Sequence, residues 1–503
     1  MFTDNQPDFT WLMPYEEKTF TQYFLPYQEL GLVKNASKDI LLNVEKAGNE
    51  AIVKIFATSE YFDLHLVFEV AGNQLYEDVF LISPANVIER RIQVPEDSNE
   101  KLFAIKISDN KGRELLRYDP SSDRESTEPK VAKAALKPQD IENNEQLFLT
   151  GHHLEQYRHA TYSPPDYYLE ALRRDPEDIR CNNTMGLWYL RRGKFTLAVK
   201  YLEQAVGTSI SRNPNPYDSE PYYNLGLVNK YMGNYKTAYD ALYKSTWSSA
   251  WQDAGYFSLA QVDVMRGDFN LALDHIEKAI DRNANNGKAY CLRAAILRKL
   301  KSHEKAIEVT TLALQRDLFN LGALYEQYEA LKSSDKANEA KVVKQRLLIL
   351  SRQTSHNLIE YAVDYASAGL YTDACELLQL TDSEKRSPLV YYYLAFFYYQ
   401  AKDERYKNQL LKAADASPYL CFPNRLEDIA VLEFAINENA SDYKAPYYLG
   451  NLWYDKRQYQ EAIDYWEQSV NRNSCLPTVH RNLGIANFNG RPYFDPYNPN
   501  YQT

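Results

Sequence analysis

The sequence predicts an all-α superhelix of paired antiparallel helices, preceded by a small β-sandwich. Three observations carry that reading. Small residues recur every 34 positions through the C-terminal part, apolar residues alternate with a period of two between 31 and 120, and a polar, proline-marked stretch separates the two regions. The 503 residues exceed one ordinary domain and correspond to roughly three at about 150 residues each. Hydrophobic residues are 45 % and charged residues 25 %, a globular composition that excludes wholesale disorder. No apolar run approaches the ~20 residues of a membrane helix, so no membrane partner is expected.

Residues 31–120 are expected to form the sandwich. In "DLHLVFEV" the residues Leu64, Leu66, Phe68 and Val70 alternate with polar ones. "VIERRIQV" repeats this with Ile88, Ile92 and Val94, Arg90 being the exception, and "LFAIKI" does so with Phe103, Ile105 and Ile107. Successive strand side chains point to opposite faces, so such stretches bury one face and leave the other to water. Turn signals stand at Gly48-Asn49, Gly72-Asn73, Pro84-Ala85-Asn86 and Asn110-Lys111-Gly112. They delimit about seven strands at intervals of ~8–12 residues, the size of an immunoglobulin-like sandwich. No cysteine precedes Cys181, so no disulfide supports it. Residues 121–140 form the expected linker, with Pro120, Pro129 and Pro138 around a polar run.

Beyond the linker the alanines 238, 272, 306, 340 and 374 are each 34 residues apart. Gly226, Ala260 and Ala294 share that step, as do Gly450 and Gly484, and Ser245, Ala279 and Ala313. Small residues at a fixed period mark places where helices cross closely, because a larger side chain would push the backbones apart. The segments "YYNLGLVNKYMGNYKTAYDALYKS", "FSLAQVDVMRGDFNLALDHIEKAI" and "YYLGNLWYDKRQYQEAIDYWEQSV" share one pattern of small and apolar positions, and the first two share a Gly-Asn or Gly-Asp turn at Gly233 and Gly267. The region resembles the tetratricopeptide-repeat family over roughly residues 145–489. Nine to ten repeats are expected within 141–489, starting near 145, 179, 219, 253, 287, 321, 355, 388, 443 and 477. "SISRNPNPYD" is an extra loop, because Pro214 and Pro216 prevent helix. "PNRLEDIAVLEFAINEN" is expected to be an additional helix. Tyr328 stands where a small residue is expected, which predicts poorer packing of the repeat at 321.

"DFTWLMPYEEKTFTQYFLPYQELG" carries aromatic-rich, strand-like runs. Together with "HHLEQYRHATYSPPDYYLEALRRDPEDIRCNN", it resembles a group of large bacterial proteins. In that group a carbohydrate-enzyme-like β-sandwich of unknown function precedes an immunoglobulin-like module and a tetratricopeptide array. The resemblance implies that residues 1–30, Phe9 to Gln28 in particular, are remnant strands of such a sandwich, and that carbohydrate is a partner through that upstream domain. The tail at 490–503, "GRPYFDPYNPNYQT", holds Pro492, Pro496 and Pro499, so it is expected to be irregular, and the chain is expected to be a truncated product or one with an unusual tail.

The composition narrows the function. A net charge of -11 argues against nucleic acid as a partner, since phosphate binding needs a basic surface. Cys181, Cys291, Cys375, Cys421 and Cys475 lie far apart without a Cys-x-x-Cys pair, as expected of buried thiols in a reducing compartment. With no positive and apolar leader at Met1–Thr10, a cytoplasmic location is expected. No Gly-x-Ser-x-Gly, Gly-x4-Gly-Lys-Ser/Thr or Gly-x-Gly-x-x-Gly sequence is present, so no enzyme and no cofactor is expected. His152, Glu155 and His159 share one helix face near His153 and could in geometry hold a metal. Their spacing favours a surface role, and no metal is expected. The acid pairs Glu16-Glu17 and Asp175 with Glu177 are expected to be solvated, because nothing places them across a sugar-sized cleft.

The binding residues are expected on the first helices of the repeats, facing the concave wall. These are Tyr223, Asn224, Lys230, Phe257, Gln261, Arg298, Lys299, Tyr392, Phe396, Tyr399, Tyr447, Asn451 and Tyr454. Asn224 and Lys230 resemble two positions of the carboxylate clamp with which some tetratricopeptide domains grip a peptide terminus, although the clamp's other cations are not matched. "PLVYYYLAFFYYQ" holds more aromatics than its buried face accommodates, so Tyr392, Phe396 and Tyr399 are expected as an exposed stripe continued by Tyr447 and Tyr454. The alternative is that the additional helix covers them. The function expected is a non-catalytic scaffold binding a peptide or protein in the concave groove. The alternative is an accessory part of a carbohydrate-active protein.

Overall fold

A computed structural model describes residues 17, 19, 21–120, 134–157, 161–472 and 474–488. The chain forms two compact units, Met1–Ala134 and Ala135–Thr503.

The first unit is an antiparallel sandwich of two four-stranded sheets among the described residues. In one sheet β1 (Asn35–Ala36), β2 (Ile40–Ala47), β3 (Glu50–Ala57) and β6 (Ile88–Gln93) lie side by side. In the other the order is β5 (Asn73–Ile82), β4 (Tyr61–Val70), β7 (Phe103–Ser108) and β8 (Glu114–Tyr118). The alternating residues meet between the sheets: Ile40, Leu42 and Val44 pack in one core with Leu64, Leu66, Phe68, Ile105 and Ile107. Arg90 breaks the alternation, and its Nε donates to Asp78 Oδ2 at 2.6 Å while its guanidinium lies 5.2 Å from the Phe80 ring centre. Leu41 and Phe56 point to the outer face of the first sheet, where Leu30 covers them. Of the strands expected between Phe9 and Gln28, residues 9–16, 18 and 20 lie outside the described residues. No described residue before Asn35 is in a strand.

The second unit is helical. Its paired helices begin with α1 (Asn144–Gln156) and α2 (Pro164–Arg174), α3 (Ile179–Leu190) and α4 (Phe195–Ser209), and α5 (Glu220–Tyr231) and α6 (Tyr235–Ser245). There follow α7 (Gln252–Arg266) and α8 (Phe269–Arg282), α9 (Gly287–Lys299) and α10 (His303–Arg316), and α11 (Leu321–Ser333) and α12 (Ala337–Ser351). Then come α13 (Ser355–Ala366) and α14 (Tyr371–Leu378), and α15 (Pro388–Gln400) and α16 (Arg405–Asp415). The additional helix is α17 (Glu427–Glu438), followed by α18 (Lys444–Asp455), α19 (Tyr459–Asn471) and α20 (Pro477–Phe488). The expected tail at 490–503 lies outside the described residues. Among the described residues no helix is long and apolar enough to cross a membrane.

The small residues do what their period requires. Ala238, Ala272 and Ala306 are fully buried at helix crossings. A Cβ on Gly226 would stand 2.6 Å from Leu242 Cγ, and one on Gly450 would stand 2.5 Å from Trp466 Cδ1, so neither position takes a side chain without displacing its partner helix. Between the two helices of a pair the chain reverses through one left-handed residue. Gly193, Gly233, Gly267 and Gly369 fill that place without strain, whereas Lys301, Asp335, Lys402 and Arg457 hold it at φ of 57–60°.

The stack changes character after α12. Arg352 and Gln353 both adopt left-handed backbone, at φ of 52° and 51°, and α12 and α13 scarcely touch. Instead α13 reaches α11 through long side chains: Tyr365 Oη donates to Glu326 Oε1 at 2.7 Å, and the Leu321 amide donates to Tyr361 Oη at 3.3 Å. This is the repeat in which Tyr328 replaces a small residue.

Candidate functional site

The first helices of the pairs line an inner wall, and the array folds back so that this wall closes. The Gly193 turn packs on Ile429 and Trp453, whose ring atom Cη2 would lie 3.1 Å from a Cβ at 193. Lys194 pairs with Glu461 beside it. Tyr231 Oη donates to Glu427 Oε1 at 3.1 Å, and Lys288 Nζ donates to Asp364 Oδ1 at 2.7 Å. The expected open groove is therefore a lumen, closed along a seam between the α3–α4 turn and α17–α19.

Two adjoining chambers occupy the lumen. One, of about 580 Å³, lies between α9, α11 and α13, with Asn286, Asn320, Tyr361 and Asp364 in its wall. The other, of about 640 Å³, brings together Tyr223, Lys230, Phe257, Gln261 and Phe396 from the expected set, with Phe195, Tyr231 and Glu427. Phe257, Gln261 and Lys288 border both chambers. In the larger chamber Tyr223 stacks on Trp251 with ring centres 4.9 Å apart, and Phe195 on Tyr231 at 5.3 Å. Lys230 Nζ donates to Gln261 Oε1 at 2.5 Å and makes no ion pair among the described residues. Burial pushes its ammonium down to about 8, against the opposing pull of Glu427 and Asp364. Burial likewise raises the Asp364 carboxyl, in spite of Lys288.

Other expected residues lie elsewhere. Asn224 is buried, with Nδ2 donating to Asn183 Oδ1 at 2.9 Å, so it joins two helices instead of facing a ligand. Tyr392 is in the core, its hydroxyl donating to Asp442 Oδ2 at 2.7 Å. The additional helix α17 packs on part of the expected stripe: Phe434 meets Phe396 edge to face at 5.6 Å and Tyr399 at 4.7 Å. Tyr399 keeps an exposed edge, and Phe396 shows its other side to the lumen. Tyr447, Asn451 and Tyr454 line a separate cavity of about 430 Å³ against Trp466 and α20. Arg298 and Lys299 are tied up in a buried network in which Arg298 pairs with Glu326 at 2.9 Å and with Asp373 at 2.5 Å, and Lys299 pairs with Asp373 at 2.7 Å.

Among the described residues no three metal-binding side chains converge. His152 Nε2 lies 2.9 Å from Gln156 Nε2, Glu155 accepts from Tyr168 Oη at 3.1 Å and pairs with Arg191 at 2.9 Å, and His159 lies outside the described residues. Sequence reasoning missed Phe195, Tyr231 and Glu427. Phe195 and Tyr231 border reversals of the chain, and Glu427 opens a helix outside the period, so no periodic signal marks them.

Residues 257–317, from within α7 to just past α10, match the family model of the tetratricopeptide repeat. The helical unit is a tetratricopeptide-repeat array. Residues 35–118, the sandwich, match the model described as YphG-like protein, second domain. Among solved structures the array is similar to MamA, at 19 % identity over 35 % of this chain and 94 % of that one, with a TM-score of 0.32. It is also similar to YrrB, described as a TPR protein with an unusual peptide-binding site, at 16 % identity over 37 % of this chain and 94 % of that one (TM-score 0.33). PilF of Pseudomonas aeruginosa matches at 18 % identity over 44 % of this chain and 96 % of its own (TM-score 0.36). Each covers less than half of this chain.

Proposed function

We propose that the tetratricopeptide array is a non-catalytic interaction scaffold that holds a peptide or protein segment in its lumen. The observation that carries this reading is Lys230. Its ammonium sits in an aromatic-walled chamber of about 640 Å³ with an uncharged amide as its only polar partner among the described residues. A desolvated cation costs stability unless something else is gained from it. Chambers of this size, with apolar and aromatic walls and a few convergent polar groups, suit ligand binding. Tyr223 and Phe257 supply faces for apolar side chains, and Gln261 and Asn286 supply amides for a bound backbone. The repeat family supports the non-catalytic part of the reading, since such arrays offer extended inner surfaces.

The test is affinity capture from the source cell with wild type, Lys230→Met and Phe257→Ala. A partner that both variants lose while their melting temperatures stay near wild type supports the lumen. Capture that neither variant weakens overturns it.

A further inference from the structure

The cavity of about 430 Å³ between α18, α19 and α20 stands apart from the two chambers of the lumen. Phe422, Tyr454 and Ile485 give it apolar walls, and each of the three is at least half exposed. Its polar groups form a chain of hydrogen bonds. Trp466 Nε1 donates to Asn451 Oδ1 at 3.0 Å, Asn482 Nδ2 donates to the same oxygen at 3.4 Å, and Arg481 Nη2 donates to Asn482 Oδ1 at 3.3 Å. An indole and a guanidinium can only donate, so the two ends of the chain fix which way both amides point. Both amide oxygens are thereby engaged, and Asn451 Nδ2 keeps its hydrogens with no acceptor among the described residues. One turn away on α18, Tyr447 Oη accepts from Thr478 Oγ1 at 2.9 Å, which leaves the phenolic proton free to donate. Arg481 makes no ion pair among the described residues and spends one of its five N–H groups. No carboxylate lines the cavity, so the positive charge of Arg481 is not offset there.

We infer that this cavity binds a small carboxylic acid with a hydrocarbon body, its anion held by Arg481, Asn451 and the Tyr447 hydroxyl and its apolar part laid against Tyr454 and Phe422. The polarity of the wall is the argument for the occupant. Every group named as unspent is a donor, and the one charge is positive, so the ligand must accept hydrogen bonds and carry negative charge. A peptide segment would bring backbone N–H groups to a wall whose amide oxygens are already engaged, which favours a free acid. The volume suits a small ligand better than a folded partner. The inference goes beyond the scaffold reading and does not depend on it.

Hydrocinnamate should bind the full chain in isothermal titration calorimetry at low ionic strength. Hydrocinnamamide, with the same body and no charge, should bind about tenfold more weakly or worse, and rising salt should weaken the acid. Arg481→Gln removes the charge at an exposed position and should weaken the acid about tenfold or more, with the melting temperature near wild type. Asn451→Asp keeps an oxygen for the Trp466 indole but puts a carboxylate where free donors stood, so it should abolish binding of the acid. Equal affinity for acid and amide overturns the proposal, as does wild-type affinity in both variants or the absence of hydrocinnamate binding. Binding of N-acetylphenylalanine without hydrocinnamate overturns it in favour of a peptide terminus. Lys230→Met should leave the affinity for hydrocinnamate unchanged, so failure at this cavity and failure in the lumen are read separately.

Discussion

Lys230 ties a single titration to the stability of the array. An unfolded lysine titrates at its ordinary 10.5, and the folded one near 8, so between those values unfolding takes up a proton. The contribution of this group to stability therefore rises with pH across that window and is least favourable below it. Urea denaturation of wild type and Lys230→Met should show the variant ahead near neutral pH, with the gap closing as pH approaches 10.5. A gap independent of pH would mean that the ammonium is hydrated. Arg298 behaves in the opposite way, because both of its partners are buried carboxylates. Arg298→Met should cost about 3–5 kcal/mol in the same measurement, by stranding Glu326 and Asp373. Lys301 shows a milder effect of backbone alone. Lys301→Gly replaces a left-handed lysine with the residue found at Gly233 and Gly267, and should raise stability by about 0.5–1 kcal/mol, visible as a higher melting temperature.

At the scale of helices, the crossings are the strictest requirement. Ala272 is fully buried between α7, α8 and the next helix, so Ala272→Leu should cost roughly 1–3 kcal/mol by overpacking. The same strictness made the array legible. A crossing tolerates only a small side chain, so the period of Ala238, Ala272 and Ala306 is a packing constraint written into the sequence. Strand alternation is legible for a similar reason, since one residue out of step exchanges the buried face for the wet one. Arg90 shows the limit of that rule: an ion pair with Asp78 lets a charged side chain hold a half-buried place. The candidate site was legible only in part. The register identified which residues lie on first helices, and five of them, Tyr223, Lys230, Phe257, Gln261 and Phe396, do share a chamber. Periodicity carries no information about contacts between repeats far apart in the chain, so the closing of the lumen and the capture of Arg298 by Asp373 had no local signal, whereas a helix packed on the stripe was one of the readings the sequence left open.

At the scale of the molecule, the sandwich holds its own cores. Ile40, Leu66 and Ile105 pack in one cluster within this unit, and Leu30, Leu41 and Phe56 in another. Expression of residues 21–120 alone should give a soluble β-rich domain with a cooperative melt, checked by circular dichroism. The array should respond to damage at its seam. Gly193→Val has no room beside Ile429 and Trp453 and also strains a left-handed turn, so it should part the seam and raise amide exchange in α17 and α18. A linear stack of repeats frays from its ends, because each unit is supported by its immediate neighbours alone. Here the pairing of Lys194 with Glu461 joins residues far apart in sequence, so the helices between them form one long loop closed by side chains. Closing such a loop has an entropic cost that grows only slowly with its length, but it must be met before the seam contacts contribute. The array should accordingly fold in two stages, with local helix pairing first and closure last, and unfold by the reverse route. A partner threaded through the lumen before closure would then be held topologically, and its release would wait on the opening of the seam.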